Sequence, residues 1–284
     1  MKDIPVRQIP TSQQEPGLAG QFNIHDLRPL MDEQDMIQEL HRHNFYYLLV
    51  LQKGVGSHEI DFTPLPVTDN TLFFMRPGQV HRLTLLAGSK GYLLSFRPGF
   101  FPYNADSARS LSTMANTNHQ RLSPDTFASI WNLLNNIATE FNEQKNDYFQ
   151  VIKAHLHILF IHLARQQKQD APSLQHSYTQ QRLDELTELL DKYITTHKQV
   201  TQYAALLNLS VYQLNAITKT TTGKTCSALI NDHIILEAKR YLLATTNQVN
   251  QVAWHLGYED VSYFIRFFKK HTGLSPDAFR NKYR

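Results

Sequence analysis

Val252-Ala253-Trp254-His255-Leu256-Gly257-Tyr258-Glu259 repeats, at an offset of 49 residues, the stretch Tyr203-Ala204-Ala205-Leu206-Leu207-Asn208-Leu209-Ser210. Beyond this stretch the offset grows to 50: Leu214 answers Phe264, Lys219 answers Lys269, and Gly223 answers Gly273. Each copy reads as a short amphipathic helix, a tight turn, a second helix with a basic end and a terminating glycine. Asn208 and Gly257 stand at the turn, and these residue types best tolerate the left-handed backbone such a turn requires. Ala204 and Ala253 allow the two helices of each copy to approach closely. Two helices joined in this way form a helix-turn-helix, whose second helix can enter the DNA major groove. The repeat therefore predicts two reading helices on one chain, over 211–221 and 261–271. Between the copies, Leu229, Ile230, Ile234, Leu236, Ala238, Tyr241 and Leu242 predict one long helix from Ser227 to Thr245. If rigid, it would hold the reading helices for successive major-groove segments about 34 Å apart.

Upstream of the repeat the periodicity is different. Residues 1–20 carry Pro5, Pro10, Pro16, Gly17 and Gly20 and read as an irregular arm. From about 41 to 101 the pattern is strand-like: Tyr46–Leu51, Ile60 and Phe62, Leu72–Met75, Leu83–Leu86 and Tyr92–Phe96, punctuated by Gly and Pro. Short strands at such spacing predict an antiparallel barrel or sandwich. After Pro102 apolar residues fall at helical spacing over 124–142 and 147–167. This pair of helices either packs on its own domain or joins two chains into a homodimer. The polar, proline-containing stretch 168–179 reads as a linker. The expected organisation is thus an arm at 1–20, a sensing domain with dimerisation helices at 21–167, a linker at 168–179 and a DNA-binding domain at 180–284.

Composition bounds the function. The 284 residues are 42 % hydrophobic and 19 % charged, with a formal net charge of +3. That is ordinary for a globular protein, and the length accommodates two domains. From 179 onward there are 13 Lys plus Arg against 9 Asp plus Glu, so the surplus sits in the part that carries the repeat. A polyanion partner for that part follows. Cys226 is the sole cysteine, which excludes a disulfide framework and a multi-cysteine zinc site and fits a reducing compartment. Neither a secretory signal nor an apolar run of membrane-spanning length is apparent, so a soluble, cytoplasmic protein with no membrane partner is expected.

The segment from Gln251 through Val-Ala-Trp-His-Leu-Gly-Tyr-Glu-Asp-Val-Ser-Tyr-Phe-Ile-Arg-Phe-Phe-Lys-Lys-His-Thr-Gly-Leu-Ser-Pro-Asp-Ala-Phe to Arg280 closely resembles the C-terminal signature of the AraC/XylS family of bacterial transcription regulators. His41-Arg-His-Asn-Phe45, Lys53-Gly54 and Pro77-Gly-Gln-Val-His81 resemble the cupin-type sensing domain common in that family. The resemblance implies an α+β chain of two domains. A cupin-like antiparallel β-barrel with following helices would precede an all-α domain of two helix-turn-helix motifs joined by a long helix. It implies double-stranded DNA as a partner, a small-molecule effector in the barrel, a homodimer and contact with RNA polymerase. Carried over to this sequence, it assigns DNA binding to Tyr212, Gln213, Asn215 and Lys219 in the first copy. In the second copy the assigned residues are Ser262, Tyr263, Arg266, Lys269 and Lys270. The side-chain chemistry agrees, since Arg suits guanine, Asn or Gln suits adenine, and Lys suits phosphate. Ala216 and Thr218 depart from the family, where Arg and a large apolar residue are frequent, so the first copy lacks a strong guanine contact.

His41 and His43 share a strand face, and His81 follows a Pro-Gly turn as a third metal ligand would. A metal-binding cupin would add a Glu shortly after the pair, but those places hold Tyr46, Tyr47 and Leu48. The expectation is therefore no metal, no cofactor and no enzyme activity. His43, Tyr47 and His81 remain as hydrogen-bonding groups for a small molecule. A regulator whose barrel senses a ligand competes with one whose barrel only dimerises, and with a metal-dependent cupin enzyme fused to a DNA-binding module.

Overall fold

The computed structural model describes residues 3–7, 9, 20–31, 34–101, 104–115, 117–167 and 174–283. The chain divides into two compact units, one spanning 5–170 and the other 171–284 with the first four residues. In the first unit the order is β1 (Val6–Arg7), β2 (Phe22–Asp26), α1 (Leu27–Met31), β3 (Met36–His43), β4 (Tyr46–Lys53), β5 (Gly56–Ile60), β6 (Thr63–Pro66), β7 (Thr71–Met75), β8 (Val80–Leu85), β9 (Lys90–Phe96), α2 (Ala105–Ala115), β10 (His119–Arg121), α3 (Pro124–Glu143) and α4 (Tyr148–Gln167).

The strands form two five-stranded sheets, ordered β1-β3-β8-β5-β6 and β10-β7-β4-β9-β2. The expected barrel is corrected here: its sheets are not joined into a closed cylinder. Edge strand β6 carries Pro64 and Pro66, which have no N–H to offer a further strand. β4 explains the unbroken apolar run at 47–51. Tyr47, Leu49 and Leu51 join the core between the sheets, with Phe73, Met75, Leu83 and Leu85. Leu48 and Val50 face the other way, into a second core with Phe74, Phe96 and the helices that supply Ile130, Leu134, Leu156, Phe160 and Leu163. A strand buried on both faces has no need of polar alternation. Each fully buried Leu of this kind contributes about 1.5–3 kcal/mol. α3 begins at the Ser123 cap with Pro124 in its first turn and ends at Gln144 in the left-handed region.

Part of the expected arm is ordered as β1, which pairs in parallel with Arg42 and His43. The Arg42 N–H donates to the Pro5 carbonyl at 3.0 Å. Residues 10–19 lie outside the described residues. So do 168–173 of the expected linker, whereas 174–179 already belong to α5 (Leu174–Tyr193). Leu186, Leu190 and Ile194 repeat at intervals of four and are buried, which ties α5 into the second unit.

That unit continues with α6 (Val200–Leu206), α7 (Val211–Thr222), α8 (Cys226–Ala244), α9 (Val249–His255), α10 (Val261–Thr272) and α11 (Pro276–Tyr283). The two turns are equivalent bond for bond. Asn208 and Gly257 have φ of 54° and 72°. Leu209 N–H donates to Ala204 O, and Tyr258 N–H to Ala253 O, both at 2.9 Å. The change of offset has a visible cause: α7 is capped by Ser210 but α10 by Asp260, so the second turn is one residue longer. α8 packs against α6, α7, α9, α10 and α11, which makes it the common support of both copies.

Candidate functional site

Each second helix hides one face and bares another. In α7, Leu214, Ile217 and Thr218 are buried; in α10, Phe264 and Phe268 take the places of Leu214 and Thr218. The exposed faces carry Tyr212, Gln213, Ala216 and Lys219 in α7, and Ser262, Tyr263, Arg266, Lys269 and Lys270 in α10. Tyr212 is 84 % exposed and Tyr263 54 %. A large aromatic as bare as Tyr212 is available to a partner, whereas the Tyr263 ring keeps a contact with Tyr258, centroids 6.0 Å apart.

The assigned residues do not all stand free. Gln213 Oε1 accepts from the Ser210 N–H at 2.9 Å, closing a reciprocal capping box with Ser210. The Asn215 side chain donates to Val211 O at 3.1 Å and accepts the Cys226 N–H at 3.0 Å, so it joins α7 to the start of α8. Both ends of its amide are thus engaged by backbone in this structure. Arg266 lies 3.9 Å from the Asp260 carboxylate with both groups largely in water, leaving its guanidinium accessible. Exposed Trp254 on α9 was not assigned, although it lies within the quoted repeat and is 57 % exposed.

The second constellation lies between the sheets of the first unit. β3 supplies His41 and His43, β8 supplies His81, and β5 supplies His58, all of them buried. The antiparallel register places His41 opposite His81, and His81 opposite Ile60. His43 Nε2 lies 2.8 Å from His81 Nε2, and His41 Nε2 lies 3.1 Å from the same atom. His81 Nδ1 lies 2.9 Å from His58 Nε2, and His41 Nδ1 2.6 Å from the Glu39 carbonyl oxygen. The Tyr47 ring stacks on His43 with centroids 5.2 Å apart and lies 5.3 Å from the His81 ring. The structure thus gathers His43, Tyr47 and His81 and adds His41 and His58. His58 was legible in principle, because Ser57-His58-Glu59-Ile60 alternates and puts it on the face of Ile60.

Burial keeps these imidazoles neutral. Desolvation pulls His43 and His58 down to about 3, aided by neighbouring His41 and Arg7 for His43 and by His119 and His41 for His58. His81 is pushed well below its ordinary value by the same burial, and His41 is lowered less, since the Glu39 carbonyl works against it. Neutral imidazoles are hydrogen-bonding groups or metal ligands, not anion-binding cations.

Residues 31–159 match the AraC-like ligand binding domain, and 203–282 match a helix-turn-helix domain. The chain is 21 % identical to the HTH-type transcriptional activator RhaR of Mannheimia succiniciproducens over 247 residues, covering 86 % of this chain and 87 % of that one. It is 32 % identical over 98 residues to the bifunctional transcriptional activator/DNA repair enzyme AdaA of Bacillus subtilis, covering 34 % of this chain and 46 % of that protein. Among solved structures, ToxT from Vibrio cholerae aligns over 92 % of this chain and 98 % of its own, at 13 % identity and a TM-score of 0.43. None of the helices searched among the described residues is long and apolar enough to cross a membrane.

Proposed function

From the premise that this chain belongs to the AraC family of transcription regulators, we propose that it is a sequence-specific DNA-binding activator whose N-terminal unit responds to a small ligand. The observation that carries this reading is the pair of equivalent left-handed turns at Asn208 and Gly257, each followed by a second helix whose exposed face carries Lys219 in α7 and Arg266, Lys269 and Lys270 in α10. α10 is the stronger reader. Arg266 can make a bidentate contact to guanine, while Lys269 and Lys270 neutralise phosphates. In α7, Gln213 and Asn215 serve as caps, so contact falls to Tyr212 on bases or sugar and Lys219 on phosphate. The first copy then contributes register more than sequence discrimination.

The ligand site is assigned to His43, Tyr47 and His81, whose buried rings pack with centroids 4.9 to 5.3 Å apart. The face of α4 turned away from the sheets, with Ile158 exposed, is where two chains pair, giving a homodimer that presents two DNA-binding units. RNA polymerase is the partner through which activation proceeds, in the cytoplasm. Selection of bound sequences from a random duplex pool, with and without the second copy disabled by Arg266→Ala, tests the core claim. A bipartite consensus whose guanine-bearing half degrades in the variant supports it. Binding without preference over random duplex at physiological salt refutes it.

A further inference from the structure

We propose that His41, His43 and His81 are the ligands of a divalent first-row transition metal ion, and that His58 positions His81 from behind. This deepens the proposed function by naming the class of ligand, and it rests on that reading only for the link to DNA.

The argument begins with proton accounting. A carbonyl oxygen only accepts, so the 2.6 Å contact with Glu39 O puts the His41 proton on Nδ1 and leaves a bare lone pair at Nε2. That lone pair points at His81 Nε2, 3.1 Å away, as does His43 Nε2 from 2.8 Å. A network of neutral rings then has one His81 proton to share between two acceptors. If His81 carries it on Nε2, then His43 must hold its own proton on Nδ1, which is buried and has no hydrogen-bond partner among the described residues. With His81 Nε2 bare instead, its lone pair faces that of His41 across 3.1 Å, so no placement of protons on neutral rings satisfies both contacts fully.

A metal ion resolves the convergence. Three Nε2 lone pairs then bind one cation, and each ligand frees its Nδ1–H for an outer partner, as metal-bound imidazoles usually do. His41 has the Glu39 carbonyl in that role, and His81 has His58 Nε2. The candidate ring nitrogens of His41, His43 and His81 all lie within 4.8 Å of one another. Bonds of about 2.1 Å in a tetrahedral site would hold nitrogens about 3.4 Å apart. The two Nε2 spacings around His81 are a few tenths of an ångström shorter, so the rings need to part only slightly. An all-imidazole set selects zinc, iron, cobalt, nickel or copper over magnesium or calcium, whose preference is for oxygen. The ligand set holds no carboxylate, and His58 from β5 stands behind His81 as its outer partner. Three ligands leave a coordination position unfilled by the protein, and the buried Tyr47 ring packs with its centroid 5.2 Å from that of His43 and 5.3 Å from that of His81. Water, hydroxide or an anionic group of an effector can occupy that position and offset the ion's charge.

The test uses the full chain stripped with a chelator and titrated with zinc chloride, then with cobalt chloride, whose visible absorption reports coordination. One equivalent of zinc bound per chain is expected. The cobalt spectrum should be that of a nitrogen-ligated, four- or five-coordinate site. His43→Gln and His81→Gln should weaken binding by roughly 100-fold or more, His58→Gln by about 10–100-fold as an outer partner, and His162→Gln should leave it unchanged. Substoichiometric zinc, or cobalt absorption indifferent to His43→Gln and His81→Gln, overturns the site. Should those variants fail to fold, long-range proton–nitrogen NMR of the unmutated chain decides. Coordination shifts of three histidine Nε2 signals on adding zinc uphold the site, and their absence overturns it. A chain that binds no metal but alters its DNA affinity with an organic ligand sinks the metal site and leaves the regulator standing. A chain that takes up the metal yet shows no sequence-selective DNA binding does the reverse.

Discussion

Asn208 and Gly257 occupy equivalent turns, yet exchanging their residue types should have unequal consequences. At Asn208 the backbone is left-handed, with φ of 54°, and the position already holds a side chain. Asn208→Gly therefore costs only unfolded-state entropy, about 0.4–1 kcal/mol. At Gly257 a Cβ would stand 2.2 Å from the Thr195 carbonyl oxygen and 2.8 Å from the Lys198 amino nitrogen. Relieving the first overlap requires a backbone displacement approaching 1 Å, because real Cβ atoms essentially never come within 3.0 Å. Overpacking of this kind costs about 1–3 kcal/mol. For Gly257→Asn that is the main penalty, since Asn tolerates the left-handed region. Gly257→Ala adds about 1–2 kcal/mol for forcing an ordinary side chain to positive φ. Hydrogen exchange read by mass spectrometry on peptides from α9 and α10 measures this locally, so the first unit does not obscure it. A loss of about 2 kcal/mol appears as roughly 30-fold faster exchange. Gly257→Asn exchanging as slowly as the unaltered chain would refute the claim that packing against Thr195, and not the turn alone, demands glycine.

Other consequences follow from the same geometry. Arg266→Ala should flatten preference at one guanine position by about 1–3 kcal/mol, read from a panel of site variants. Asn215→Ala should lower thermal stability by about 0.5–2 kcal/mol through the lost Cys226 cap while leaving the base preference intact; a changed consensus would show that Asn215 reads DNA after all. Lys270→Ala should reduce the salt slope of DNA binding by about one unit, the signature of one lost phosphate contact. For the metal-free chain, His43 and His58 have folded-state values near 3 against 6.5 unfolded. The unfolded chain therefore takes up the protons first. The stability these groups support is present above pH 6.5, falls as pH drops below that value, and reaches its limit near 3. Acid melts of the first unit should steepen over this window, and His43→Gln should flatten them. Buried Cys226, whose thiol burial pushes up to about 11, should resist alkylation at pH 8 until the second unit unfolds.

The repeat was fully legible in the sequence, because a turn that needs a left-handed residue can be filled by few types, and Asn208 and Gly257 mark it twice. Helical spacing likewise identified α3, α4, α7, α8 and α10 to within one or two residues, since amphipathic periodicity is a local property. The apolar run at 46–51 predicted a strand, but not that both its faces are buried. That required two sheets and a helical layer to close around it. The contact that ties Asn215 to the start of α8 was beyond reach of a one-dimensional reading, whereas the Ser210-x-x-Gln213 capping box was not. An amide suited to adenine is chemically the same amide that caps a helix, and only the position of α8 shows that Asn215 accepts the Cys226 N–H. The histidines show the division most plainly. Residue spacing put His41 and His43 on one face and drew in His81 as a third candidate ligand, and it discounted a metal for want of a nearby carboxylate. Strand register, which is a long-range quantity, brought β5 alongside β8 and placed His58 behind His81. What the sequence determined by itself was therefore the set of local elements and their chemistry. Which side chains face one another at 3 Å was decided by the tertiary structure, because pairing between distant strands is fixed by the packing of the whole core.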